Sequence, residues 1–263
     1  MCTLIVLNNV HPDYPLIIAA NRDEFHSRKS IAPGCINEEP MIWAGLDKEA
    51  GGTWFGLSKA GFFVGITNQR TKQSRKKHVL SRGQIVLNAL KSNSVDRVCE
   101  QLLKLDPGEL NPFNLLFGDI HQLKVAYCHS HMSQVEICSV PHGSHVLPNG
   151  RLNDPNFPKV RRSLEKLNIQ ASHSWDQIKA QCIQLLSNHE KASLQSLKGQ
   201  QSHWTRPGIL LRELDALCVH AGPYGTCSSS LIALKDGGVR HYHYAAGAPC
   251  RAPFQDLNSL IAT

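Results

Sequence analysis

Apolar residues along this chain come in short runs separated by turn residues, and the period of the pattern changes several times. Cys2–Asn8 and Pro15–Ala20 are apolar runs joined by Asn9-Val10-His11-Pro12-Asp13, which predicts a β-hairpin. The polar group Asn21-Arg22-Asp23-Glu24 ends the second run. A loop with Pro33, Gly34 and Pro40 follows, then a Gly51-Gly52 approach. Thr53–Leu57 and Phe62–Thr67 flank Ser58-Lys59-Ala60-Gly61 and predict a second hairpin. The period then becomes helical. Ser81, with Gln84 three residues on, forms a capping box before Ile85, Val86, Leu87 and Leu90. A second helix is expected from Ser94 to Leu105, stopping before Pro107-Gly108. Strand signals return at Phe113–Phe117, Leu123–Cys128 and Val135–Val140, and Pro141–Pro158 reads as loop. Helical spacing resumes at Lys159–Leu167 and at Trp175–Leu186, the latter behind a Ser174/Gln177 capping box. Gln195–Pro207 is polar and irregular. The end reads as strand throughout: Ala216–His220, Ser228–Leu234 and Val239–Ala245, the last two joined by Asp236-Gly237-Gly238.

Hairpins thus alternate with pairs of helices. Strands joined by hairpins make antiparallel sheets, and paired helices can cover a sheet face. The expected fold class is α+β: a four-layer α-β-β-α sandwich of two antiparallel sheets flanked by helices. Neither a linker nor a repeat interrupts residues 1–263, so one domain is expected.

Composition narrows the class. Of 263 residues, 41% are hydrophobic and 19% charged, which suits a globular chain with a real core. The apolar runs are strand-sized, far below the roughly 18 residues of a membrane helix, and no secretory signal is visible. Nine cysteines, an odd number at scattered spacing, point to reduced thiols in a cytoplasmic setting. No C-x-x-C pair exists, and no metal site is expected from cysteine spacing. The net charge is +7, densest at Arg70-Thr71-Lys72-Gln73-Ser74-Arg75-Lys76-Lys77-His78. That stretch suits either a solvated loop or an anionic ligand; without interleaved aromatics, nucleic acid is not expected.

The sharpest chemical feature is Cys2. Behind a residue this small the initiator methionine is normally removable, which would leave a thiol and a free α-amine on one residue. Their reference pKa values, about 8.5 and about 7.7–8.0, are matched for proton transfer, so the amine can serve as the base. The alternative is a buried cysteine that merely opens a strand. A hairpin returns the end of its second strand to the start of its first, so Asn21–Asp23 should lie beside Cys2. Arg22 could hold the thiolate and Asp23 could orient the amine. Asn68, after the Phe62–Thr67 run, and Asn149, in Leu147-Pro148-Asn149-Gly150, are candidate oxyanion donors, although both also suit turns. Two histidine groups, Cys128-His129-Ser130-His131 and His241-Tyr242-His243-Tyr244, offer ligands for haem iron or a transition metal, or are simply hydrogen-bonded strand histidines.

The string Met1-Cys2-Thr3, followed by Asn21-Arg22-Asp23-Glu24, resembles the NRDE-motif family, that of the transport and Golgi organisation protein. The likeness continues in order through Gly52-Thr53-Trp54-Phe55-Gly56, Thr67-Asn68-Gln69-Arg70, Ser81-Arg82-Gly83, Phe113-Asn114-Leu115-Leu116, Pro148-Asn149 with Pro158-Lys159-Val160, and Tyr224-Gly225-Thr226 with Ser228-Ser229. The resemblance implies the N-terminal-nucleophile hydrolase fold, similar to choloylglycine hydrolases and penicillin V acylase. It implies Cys2 as nucleophile, Arg22 and Asp23 as its neighbours, and Asn68 and Asn149 on the oxyanion side. Asn21, Glu24, Trp54, Arg70, Arg82, Thr226 and Cys227 fall in the same motif blocks and are expected near a bound ligand. Two departures stand out: Cys227 occupies the place of the family's usual arginine, which could bring a second thiol near the first, and Pro148 replaces a serine. Two functions follow. One is hydrolysis of a non-peptide C–N amide bond in a small amphipathic substrate, with no cofactor. The other is non-catalytic binding or trafficking of haem or an acyl-CoA in the same pocket.

Overall fold

The computed structural model describes residues 2–71, 76, 79–197 and 208–261. Its strands form two seven-stranded sheets. In the first, β1 (Cys2–Asn8) and β2 (Leu16–Phe25) form the expected hairpin, flanked by β10 (Gly143–Leu147) on one side and β12 (Tyr224–Lys235) on the other. Beyond β12 lie β13 (Gly238–Ala245) and the two-residue β14 (Gln255–Asp256), while the equally short β11 (His220–Ala221) pairs with the start of β12. The second sheet runs in sequence order: β3 (Ser30–Glu38), β4 (Met41–Asp47), β5 (Phe55–Ser58), β6 (Phe63–Asn68), β7 (Phe113–Gly118), β8 (Leu123–Cys128) and β9 (Glu136–Ser139).

The alternation of side chains assembles the layers. Leu4, Val6, Leu16, Ile18 and Ala20 meet Trp43, Phe55, Phe63 and Leu116 between the sheets. The intervening Ile5, Leu7, Ile17 and Ala19 point the other way, against Val160 of α3 (Pro158–Lys166) and Ile178, Cys182 and Leu186 of α4 (Trp175–Leu186). The far face of the second sheet packs Val64, Ile66 and Phe113 on α1 (Arg82–Ser92) and α2 (Val95–Leu103). The four-layer α-β-β-α order is therefore as expected. β1 and most of β2 are buried on both faces, which is why they read as continuous apolar runs.

Three expectations of detail change. β3 and β4 occupy what reads as a Pro/Gly loop. β3 is an irregular, largely exposed edge strand whose pairing slips at two places, so Pro33 and Gly34 are tolerated. β10 lies inside the expected loop 141–158; its pattern is too short to register, and pairing with β1 makes it a strand. Conversely, 216–219 are bent, irregular chain rather than a strand, and a short helix, Asn258–Ile261, follows β14. The irregular reading of 195–207 falls largely outside the described residues.

The capping boxes behave as read at Ser174, whose side chain accepts from Gln177 N while the Gln177 side chain accepts from Ser174 N. At Ser81 only one arm of the expected box forms: Ser81 accepts from Gln84 N, while the Gln84 side chain donates to Asn88 Oδ1 at 3.1 Å. Ahead of β5 the chain touches the first turn of α1 backbone to backbone. A Cβ on Gly52 would stand 2.6 Å from the carbonyl carbon of Gly83, and Thr53 N donates to Gly83 O at 3.3 Å. We therefore expect Gly52→Ala to cost about 1–3 kcal/mol, because main chain has to move. Circular-dichroism melts should show a midpoint lower by several degrees; an unchanged midpoint would mean that this contact is loose.

Candidate active site

The β1–β2 register sets Cys2 directly opposite Arg22. Directly opposed residues point to the same face, so both side chains enter the space between the sheets, at one end of the β1–β2 pair. A cleft of about 940 Å³, open mouth included, begins there. Its floor and walls include Cys2, Arg22, Glu24, Trp54 and Asn68, and Asp23 borders it at the strand end. Arg28, Asp47, Arg82, Tyr242 and Tyr244 complete its polar lining. Arg22 is 5% exposed; its Nη2 lies 3.9 Å from Asp47 Oδ2, and its buried Nη1 has no hydrogen-bond partner among the described residues. Burial pushes the Cys2 thiol above its ordinary pKa and the charge of Asp23 adds to that, while Arg22 works against both.

Asp23 is one residue out of phase with Arg22 and sits on the helix-facing side of the strand end. Its Oδ1 accepts from Thr226 Oγ1 at 2.7 Å. Thr226 is itself held, since Val219 N donates to its Oγ1 at 2.9 Å. Lys159, fully buried on α3, faces Asp23 electrostatically and donates Nζ to Leu214 O at 3.4 Å. Burial pushes the Asp23 carboxyl up to about 6, although Lys159 and Thr226 both favour its charged form.

A bulge organises the other neighbour. On β12, Thr226 pairs with Asp23 and Ser228 pairs with Arg22, leaving Cys227 as the extra residue. The expectation of Cys227 beside Cys2 is corrected by this bulge. It turns the side chain away from the cleft wall, so that Sγ lies 3.4 Å from Glu24 O and 3.6 Å from His26 Nδ1. Ser228 takes the cleft-facing place opposite Arg22.

Asn68 ends β6 on the cleft wall. Asn149 is two residues beyond Leu147, as Cys2 is two before Leu4, its partner. Asn149 is thereby carried to the level of Cys2, but it stands behind the wall. It is 1% exposed, and its Nδ2 donates to Asn68 O at 2.8 Å. Its loop is clamped by Asn114, whose Nδ2 donates to Gly150 O at 2.8 Å, and by Thr67, whose Oγ1 donates to Pro148 O at 2.8 Å. Asn149 therefore fixes Asn68 rather than lining the cleft.

Two more expected binding residues lie elsewhere. Asn21, on the opposite face from Arg22, is fully buried; its Nδ2 donates to Leu186 O and Leu217 O, both at 2.9 Å, and its Oδ1 accepts from Ser229. It ties the sheet to α4. Arg70 is buried away from the cleft, its guanidinium 4.7 Å from the Phe157 ring centroid, and burial brings it down to about 10. Most of the basic stretch beyond it falls outside the described residues. Lys159, Asp47 and Arg28 were not singled out from sequence; Arg28 donates Nε to Asp47 Oδ2 at 2.6 Å. The family-like Pro158-Lys159-Val160 block was the available signal for Lys159.

None of the histidines of the two groups lines the cleft, although Tyr242 and Tyr244 do. His241 stacks on Trp175, centroids 4.3 Å apart, and Trp175 Nε1 donates to His243 Nε2 at 3.3 Å. The Cys128 group is split, because β8 ends at Cys128, which is buried in the core, and His129 and His131 follow in a turn with rings 5.0 Å apart.

The sequence model described as Transport and Golgi organisation 2 matches residues 1–244. The Bos taurus "Transport and Golgi organization protein 2 homolog" is 29% identical over 237 residues, covering 86% of this chain and 84% of the relative. The Drosophila melanogaster "Transport and Golgi organization protein 2" is 28% identical over 269 residues, covering 92% and 90%. Among solved structures, a Cys-to-Ala variant of conjugated bile acid hydrolase from Clostridium perfringens superposes with a TM-score of 0.52 at 14% identity, over 98% of this chain and 93% of that one. Penicillin V acylase from Agrobacterium tumefaciens gives 0.53 at 10%, over 94% and 83%. The Caenorhabditis elegans N-acylethanolamine-hydrolyzing acid amidase ortholog gives 0.53 at 10%, over 90% and 93%. The fold is thus that of the N-terminal-nucleophile hydrolases. No helix among the described residues is long and apolar enough to cross a membrane.

The raised Asp23 pKa has a sign that can be tested. An acid that binds its proton more tightly when folded stabilises the fold in its protonated form. Its contribution is complete at low pH and declines as pH rises from about 4 to about 6, by about 2–3 kcal/mol. Urea midpoints across that window should fall with rising pH, and Asp23→Asn should flatten the slope; an equal slope in both proteins would assign the dependence elsewhere.

Proposed function

We propose, starting from a chain that belongs to the Transport and Golgi organisation 2 family and has an N-terminal-nucleophile hydrolase fold, that it cleaves a non-peptide C–N amide bond with Cys2 as nucleophile. The observation that carries this reading is the pairing of Cys2 with Arg22 at the cleft floor, where a buried guanidinium N–H has no partner among the described residues. The names of the structural neighbours, a hydrolase, an acylase and an amidase, support the same chemistry.

The reading requires a mature chain that begins at Cys2. Its α-amine takes the thiol proton, and the thiolate attacks the carbonyl carbon. Arg22 and Asn68 face the oxygen on which charge develops, and a preorganised donor there is worth a few kcal/mol. The C–N bond then breaks, the amine leaves with the proton held by the α-ammonium, and water releases the acid from the thioester and restores the thiol. Asp23 orients the ammonium, with Lys159 behind it. Burial holds the resting thiol protonated, so the transfer to the amine is the activating step.

The cleft also suggests the substrate. Trp54, Phe55, Ile66 and Ile31 offer apolar wall, and Arg22, Arg28 and Arg82 offer positive charge among its polar lining. An amide with an apolar acyl chain and an anionic group fits both. The nine free thiols suit a reducing compartment such as the cytoplasm.

The same three guanidinium groups favour a second reading, in which the cleft carries an anionic cargo, haem or an acyl-CoA, without cleaving it. Since no histidine lines the cleft among the described residues, a haem there would have Cys2 or a tyrosine as its iron ligand.

Intact mass should show the chain starting at Cys2. Against a panel of N-acyl amino acids and N-acyl amines, Cys2→Ala should lose turnover by about a thousandfold or more. Equal turnover in wild type and variant would end the hydrolase reading. No turnover by either protein, with tight hemin or acyl-CoA binding by both, would leave the carrier.

A further inference from the structure

Away from the cleft, on the helix side of the first sheet, four side chains from distant parts of the chain converge: His189, Cys218, His220 and Cys250. Each offers one ligand atom, and all four atoms lie within 4.8 Å of one another. The sulfurs of Cys218 and Cys250 are 3.6 Å apart. His220 Nε2 is 3.3 Å from Cys250 Sγ and 3.7 Å from Cys218 Sγ. A tetrahedral zinc ion, with bonds of about 2.3 Å to sulfur and about 2.0–2.1 Å to nitrogen, requires sulfur–sulfur separations of about 3.8 Å and sulfur–nitrogen separations of about 3.5 Å. The two sulfur–nitrogen distances bracket the required value, and the sulfur–sulfur distance is shorter than required by about 0.2 Å.

The supporting contacts also suit a metal. His189 Nδ1 donates to Cys218 O at 3.2 Å, which keeps its proton on Nδ1 and leaves a lone pair on Nε2. Cys218 N donates to Asn188 O at 2.9 Å, so the segments that carry His189 and Cys218 are joined independently of any ion. Cys218 and His220 are separated by Val219 alone, and both side chains reach the Cys250 sulfur. Cys250 sits in a turn closed by Arg251 N and Ala252 N on Ala248 O, both at 2.9 Å.

We propose that His189, Cys218, His220 and Cys250 form a Cys2His2 zinc site. Two thiolates and two imidazoles in tetrahedral array are the donor set that zinc takes in closed structural sites. Its place in the fold gives it a task. The ion would clip together the chain after α4, the approach to β12 and the turn after β13. Between Cys218 and His220 lies Val219, whose N–H holds Thr226 Oγ1 and whose carbonyl accepts from Thr226 N at 2.9 Å. Thr226 in turn donates to Asp23. The metal therefore steadies, at two removes, the carboxylate beside Cys2. On binding, two thiol protons leave to solvent and no electron is transferred. The spacing of these residues hid the site: 29 positions separate the first two ligands and 30 the last two, outside any short zinc signature.

The test uses the full chain, purified without a metal-binding tag and under reducing conditions. Elemental analysis should find about one zinc per chain, and the metal-stripped protein should regain one equivalent from zinc in competition with a chromophoric chelator. Cobalt added to the stripped protein should give tetrahedral d–d bands and a thiolate-to-cobalt charge-transfer band. His189→Ala, a change at an exposed side chain, should weaken zinc binding by about tenfold or more. Cys250→Ser should remove most of the charge-transfer intensity, whereas Cys35→Ser, far from the site, should change neither signal. Removing zinc should lower the melting midpoint of wild type and leave that of Cys250→Ser in place. The proposal is overturned if the stripped wild-type chain takes up no zinc, if cobalt shows no thiolate charge transfer, or if mass analysis of the reduced preparation finds Cys218 and Cys250 joined in a disulfide.

Discussion

The site rests on the register between the first two strands. β1 and β2 lie in the interior of a sheet that is covered on one face by the second sheet and on the other by α3 and α4. A slip of one residue would exchange the two sets of apolar side chains between those environments and would send Cys2 to the helix side. The packing of Leu4, Val6, Ile5 and Leu7 against two different layers therefore determines where the sulfur points. Arg22 follows without further instruction, because antiparallel pairing puts it across from Cys2.

The electrostatics grow from the same strand ends. Consecutive residues 22 and 23 point to opposite faces, so one motif supplies a guanidinium to the cleft and a carboxylate to the rear. Behind the sheet, Asp23 meets a buried lysine and a threonine hydroxyl. The β12 bulge keeps both faces served at once: Thr226 stays with Asp23 on the rear face, Ser228 comes opposite Arg22 on the front, and Cys227 drops out of the alternation. Continued straight from Ser228, the strand would have put Cys227 opposite Asp23, in the place of Thr226.

The family-like motif blocks acquire physical meaning in this arrangement. Gly52-Thr53 and Arg82-Gly83 are linked because main chain touches main chain there, with no room for a Cβ. Asn114 belongs to a strand of the second sheet, yet its amide holds the loop that carries Asn149. Asn149 then holds Asn68. Residues that contact no ligand are thus tied to the cleft through one or two hydrogen bonds.

Much of this was legible in the linear pattern. The hairpins, the capping boxes at Ser81 and Ser174 and the alternation of strands with helix pairs predicted the four layers, since period and caps are local properties. The nearness of Cys2 to Arg22 and Asp23 was legible for the same reason, a hairpin being a local object. What the pattern could not carry was contact between distant segments. β10 becomes a strand only because β1 is there to pair with it. Asn21 and Arg70 share motifs with site residues but turn into the packing, because the face a residue points to depends on what covers each face. Cys227 leaves the cleft through a bulge that has no sequence signal of its own. The convergence of His189, Cys218, His220 and Cys250 exists only where three separate connections meet at one end of the sheet. Period and capping are written within a few neighbouring residues, whereas facing, bulging and long-range convergence are settled when the layers close on one another.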